Sequence, residues 1–188
     1  QLVRQLYADG TISTDSYHKL INSQERHFDS DGALPLSDRK YVFKQFEEGR
    51  FIRFVRRHAW LMRLLKRPLT RRVVMLSDLG RGFLSLQRDS QDELAALRNA
   101  GIPEAQARSI FSTLEAEVRE NIERMRDCLD KLAADWPEAY SSALTSKAAR
   151  MMLCNERRTV RNLTWDGAMS AKDGERCEES IDSRASRL

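Results

Sequence analysis

The chain has only three cysteines, Cys128, Cys154 and Cys177, widely spaced and with no CxxC pair among them. They cannot all pair within one chain. They read as core or half-buried thiols rather than metal ligands, and a reducing, cytoplasmic-side compartment is expected. Four prolines and eight glycines are too few for a fibrous or disordered polymer of 188 residues. No uninterrupted apolar run approaches the roughly 18 residues that span a bilayer. Leu2 to Tyr7 is too short for a secretion signal and is interrupted by Arg4 and Gln5.

Catalytic and ligand motifs are scarce as well. His18, His27 and His58 lack the HxxxH or HExxH spacing of a metal site and read as surface or boundary histidines. Asp29 and Asp31 resemble a fragment of a calcium loop, but its remaining ligands and terminal glutamate are missing. Leu79-Gly80-Arg81-Gly82-Phe83 contains GxG but neither a third glycine nor the Lys-Ser/Thr of a phosphate loop. No serine sits in a G-x-S-x-G elbow. Glu115, Glu117, Glu120 and Glu123 alternate with arginines and read as a salt-bridged, solvated face rather than an acid–base pair. The sequence therefore predicts no enzyme, no cofactor and no metal.

What is present is helix. Hydrophobic residues make up 41% of the chain and charged residues 32%, enough apolar material for one folded domain. Asp9-Gly10 supplies a helix-ending glycine, and Ser13 or Thr14 can cap the next helix, with Asp15 in its first turn. The stretch Phe28 to Ser37 is turn-like. A helical pattern then runs from Ser37 and Asp38 to Leu65, with Gly49 inside it and Pro68 resetting it. The next helix is expected from Thr70 to Leu94, with Gly80 and Gly82 marking close backbone approach or a bend. Ala100-Gly101-Ile102-Pro103 is the clearest boundary.

From about Glu104 to Ala133, Ile110, Leu114, Val118, Ile122, Met125, Leu129 and Leu132 recur in steps of three or four. This is a long amphipathic stripe, spent either inside the chain or in a dimer. Trp136-Pro137 breaks the pattern, and another helix carries Leu144, Ala148, Met151, Met152, Val160 and Leu163. The expected architecture is an all-α bundle of long amphipathic helices and hairpins over residues 1–176, with residues 177–188 as a frayed extension or linker.

Charge is unevenly placed. Arg50, Arg53, Arg56, Arg57, Arg63, Lys66, Arg67, Arg71 and Arg72 lie in one stretch without an acidic residue. Without these nine, the net charge of +4 becomes −5. Interleaved with Phe51, Phe54 and Trp60, the block suits anionic lipid headgroups at a membrane surface. It also fits the solvated rim of a packed helix. Phosphate backbone is the weaker alternative, since no nucleic-acid-binding motif accompanies it.

LVRQLYADGTISTDSY near the start has a close variant, TVRNLTWDGAMSAKDG, from Thr159 to Gly174. Taken with its surroundings, Arg4 to Asp29 resembles the helix–turn–helix that follows the membrane domain in the cytoplasmic tails of long-tailed Na⁺/H⁺ antiporters. The plant salt-tolerance antiporter, the sperm-type exchanger and bacterial relatives are the proteins in question. SDLGRGFLSLQRDSQDEL, Ser77 to Leu94, resembles their glycine–phenylalanine helix, and Asp135 to Ser170 their proline-led segment. In that pattern Gly10, Ile12 and Ser13 form the first turn, Gly82 and Phe83 a packing point, and Pro137 a helix start. Asn155 is a mid-helix polar site, and Gly167 with Ser170 belongs to the second turn. Trp165, Ala168 and Met169 depart from it.

The resemblance implies a non-catalytic regulatory and dimerisation domain on the cytoplasmic side of the plasma (inner) membrane. Its partners would be the antiporter's membrane domain in the same polypeptide, a second copy, and anionic lipid.

Overall fold

A computed structural model describes residues 2–28, 40–47, 65–99 and 105–186. Seven helices account for nearly all of them, and no strand occurs among the described residues: α1 (Leu2–Ala8), α2 (Thr14–Phe28), α3 (Lys40–Phe46), α4 (Lys66–Asn99), α5 (Ala105–Asp135), α6 (Pro137–Trp165) and α7 (Ala171–Ala185). The expected all-α bundle is what the chain forms.

Helix α4 is the axis. It packs on α5 along one side and α6 along another, while α1, α2 and α3 cover its remaining face; α7 folds back on α6. Being surrounded explains its unbroken run of buried residues from Leu76 to Gly80. It also explains two mid-helix glycines, each costing about 1 kcal/mol against alanine in an exposed helix. A Cβ at Gly80 would fall 2.8 Å from Leu129 Cδ2, and one at Gly82 would fall 2.8 Å from Leu20 Cδ1. Of the two expectations for this region, close approach is realised, and the helix continues through both positions. Pro68 lies in the first turn of α4, where its missing N–H has no intrahelical partner to lose. That is why the helix starts at Lys66 rather than at Thr70.

The main core joins Val3, Ile12, Leu20, Phe43, Leu79, Phe83, Met125 and Leu129. Phe43 and Phe83 meet edge to face, 5.5 Å between ring centroids. The α5 stripe divides along its length. Val118, Ile122, Met125, Leu129 and Leu132 are buried in the chain's own core, Leu114 is half-buried, and Ile110 is 59% exposed. Trp136, with an extended φ of −137°, separates α5 from α6, and Pro137 opens α6 as its first residue.

The C-terminal segment differs from the frayed extension expected after residue 176. Helix α7 runs through that position to Ala185, with Ile181 only 2% exposed. Ser170 caps it, the hydroxyl accepting from the Asp173 N–H at 3.2 Å. Arg161 donates to Glu178 at 2.9 Å, and Arg157–Asp182 and Arg184–Glu156 pair alongside. A short polar sequence becomes a stable helix because α6 supplies the surface that buries its one isoleucine.

Candidate functional site

Helix α1 ends in a compact turn. The Gly10 N–H donates to Tyr7 O at 3.0 Å and the Thr11 N–H to Leu6 O at 2.9 Å. This 5→2 and 6→1 pair defines a Schellman motif. Its left-handed residue is Gly10, at φ 69°. The turn lies directly on α6: a Cβ at Gly10 would sit 2.9 Å from both Arg150 O and Cys154 Sγ. Tyr7 and Tyr17 brace it from outside, 4.8 Å between ring centroids.

Beneath the turn is Asp78 of α4, 1% exposed. Arg150 Nη2 of α6 donates to Asp78 Oδ2 at 2.5 Å. Burial raises the Asp78 pKa above the usual carboxylate range, and Arg150, the Ser13 hydroxyl and N–H, and Lys147 offset that only in part. The Ser13 and Ser16 hydroxyls lie 3.0 Å apart, and Ser16 donates to Met75 O of α4 at 3.1 Å. Farther along the α4–α6 seam, Arg81 Nη2 donates to Tyr140 Oη at 3.1 Å. The Lys147 ammonium is pushed below its ordinary pKa, first by burial and then by Arg81.

Asp78 is closed off from solvent and paired, and no group of three or more His, Cys, Asp or Glu able to hold a metal occurs among the described residues. The Asp78–Arg150 pair joins α4 to α6, the Ser16 hydroxyl joins α2 to α4 at Met75 O, and Gly10 seats the turn on α6.

The structure brings Gly10 and Ser13 to this clasp, with Gly82 and Phe83 packed just beyond it on α4. Asn155 is exposed on α6 and accepts from Arg158 at 2.9 Å. Gly167, at φ 72°, has open space where Gly10 has α6. The two similar sequences thus make turns of like backbone sign and unlike setting, one pinned and one at the surface. Trp165, beside the second turn, is 91% exposed.

Of the basic stretch, Arg50, Arg53, Arg56, Arg57 and Arg63 lie outside the described residues. Lys66 belongs to the first turn of α4, and Arg67, Arg71 and Arg72 are exposed there. Asp78, Arg81, Tyr140, Lys147 and Arg150 were not singled out from the sequence. The available signal was a charged residue between Leu76 and Leu79 in a helix that also carries Val73, Val74 and Met75.

Among the described residues no helix is long and apolar enough to cross a membrane. In comparisons with known proteins, no protein-family model and no curated protein matches the chain.

Proposed function

We propose that the chain is a non-catalytic cytoplasmic regulatory domain of a sodium/proton antiporter. It couples the position of the polypeptide leaving the membrane domain to the packing of the tail, and it helps hold a homodimer. The observation that carries this reading is the clasp. The turn that the family resemblance puts next to the membrane domain is seated on α6 at Gly10, and Asp78 and Arg150 join α6 to α4 beneath it. A displacement of α1 would pass into α4 and α6 rather than be absorbed in a loose linker.

The experiment is sodium/proton exchange by the full polypeptide, membrane domain included, in vesicles. Arg150→Met is expected to shift the pH dependence or maximal rate of exchange at equal protein in the membrane. Exchange identical to wild type, with the clasp shown to be broken, overturns the coupling.

The exposed Arg67, Arg71 and Arg72 support a lipid-facing start of α4. Flotation with anionic liposomes should weaken when the basic residues from Arg50 to Arg72 are neutralised; unchanged flotation removes the lipid contact. The exposed Ile110 end of the α5 stripe supports self-association. A monomeric mass by light scattering across micromolar concentrations counts against it for the isolated chain.

A further inference from the structure

A second apolar cluster lies where α3, the start of α4 and the end of α5 converge. Val73, Leu76 and Leu132 are buried in it, and Phe46 and Trp136 pack against them. These side chains line the floor of an open cleft of about 530 Å³, within the roughly 300–1,000 Å³ typical of small-molecule sites. Its charged lining is Arg72, Arg124 and Lys131 against Glu47 and Asp135, a net positive rim. The Arg124 guanidinium lies 4.4 Å from the centroid of the Phe43 ring, a cation–π contact. Among the described residues Arg72 Nη2 makes a long contact to Gln45 O, 3.5 Å, and Lys131 is exposed.

We infer that this cleft binds a single-chain anionic amphiphile, its alkyl chain along the half-buried Phe46, Leu69 and Trp136 above that floor and its head at Arg72, Arg124 and Lys131. The apolar floor disfavours a wholly polar anion such as a nucleotide, because buried polar groups need partners that Val and Leu cannot supply. The positive rim disfavours a cationic amphiphile. A carboxylate and a phosphate monoester both satisfy the head chemistry, so a free fatty acid and a membrane lipid are alternative sources of the same ligand. This binding does not depend on the transporter reading.

Cys128 lines the same cleft, half-buried, and burial pushes its thiol pKa up. It provides the readout. In the full chain with Cys154→Ser and Cys177→Ser, the rate of Cys128 alkylation by a maleimide is measured against dodecanoate, dodecyl phosphate, dodecyltrimethylammonium and dodecanol, all below their micelle thresholds. Phosphatidylglycerol vesicles form a separate arm.

Dodecanoate and dodecyl phosphate should protect the thiol, and each added methylene should tighten binding about fourfold until the cleft is filled. Arg72→Glu with Lys131→Glu, both at exposed positions, should weaken dodecanoate about tenfold and leave dodecanol unchanged. Protection by vesicles as well assigns a membrane lipid as the source; protection by soluble amphiphiles alone assigns a free one.

Equal protection by the cationic amphiphile, no dependence on chain length, or protection accompanied by loss of helical circular dichroism overturns the proposal. So does protection that rises with protein concentration alone, which makes the occupant a second copy. A thiol already inert in the free, folded chain also overturns it, because the cleft is then filled from within.

Discussion

Asp78 and Arg150 lie 72 residues apart in sequence and 2.5 Å apart in the folded chain, the carboxylate almost wholly buried and the guanidinium side chain 23% exposed. Burial outweighs the arginine in setting the proton affinity of Asp78. The pair therefore fixes geometry more than it adds net stability.

Removing one partner should be far worse than removing both. Arg150→Met leaves a buried carboxylate uncompensated and is expected to cost about 3–5 kcal/mol. Asp78→Asn, which keeps most of the shape, should cost less, and the double variant should recover most of the Arg150→Met loss. Urea denaturation of the two singles and the double measures this. Additive losses would show that the two side chains act independently.

The pH dependence follows from the raised Asp78 pKa. The folded chain holds the Asp78 proton more tightly than the unfolded chain does. This contribution to stability is complete below the unfolded pKa of 3.8 and is lost as pH rises through the higher folded value. The stability of wild type minus that of Asp78→Asn should fall with rising pH across that window and be flat above it. Lys147 is shifted the other way, so Lys147→Met should raise stability at neutral pH and have less effect in alkali, where the amine is already neutral.

The two glycine turns should respond unequally to alanine. Positive φ penalises both by about 1 kcal/mol. At Gly167 the methyl group meets nothing within 4 Å, whereas at Gly10 it meets backbone and a sulfur atom at 2.9 Å. Gly10→Ala should therefore lower the denaturation midpoint clearly more than Gly167→Ala. Equal losses would mean that the first turn is not seated on α6.

Docking of α7 should depend on one apolar side chain. Ile181→Ala is expected to cost about 2–4 kcal/mol, as for other buried isoleucines, and to speed amide exchange across α7. Glu178→Gln, at an exposed ion pair, should leave the midpoint nearly in place.

The helices themselves were legible in the sequence. The α5 stripe, the Asp9-Gly10 stop with its Ser13 or Thr14 cap and the Trp136-Pro137 break are local devices: periodicity, positive φ, a side chain bonding its own helix end. Each acts within a few residues, so each can be read along the chain. Helix α7 was harder to read, because its stability comes from a surface on α6 that its own polar composition does not announce.

The sequence by itself determined an all-α chain, where most of its helices end, and a basic stretch set in an otherwise acidic remainder. Only the tertiary structure decided which of two similar turns is pinned, how much of the α5 stripe the chain keeps for itself, and that Asp78 sits in the interior facing Arg150. The reason is range. Hydrophobic period and capping are written locally, whereas a carboxylate meets its arginine only after α1, α2, α4 and α6 have packed together.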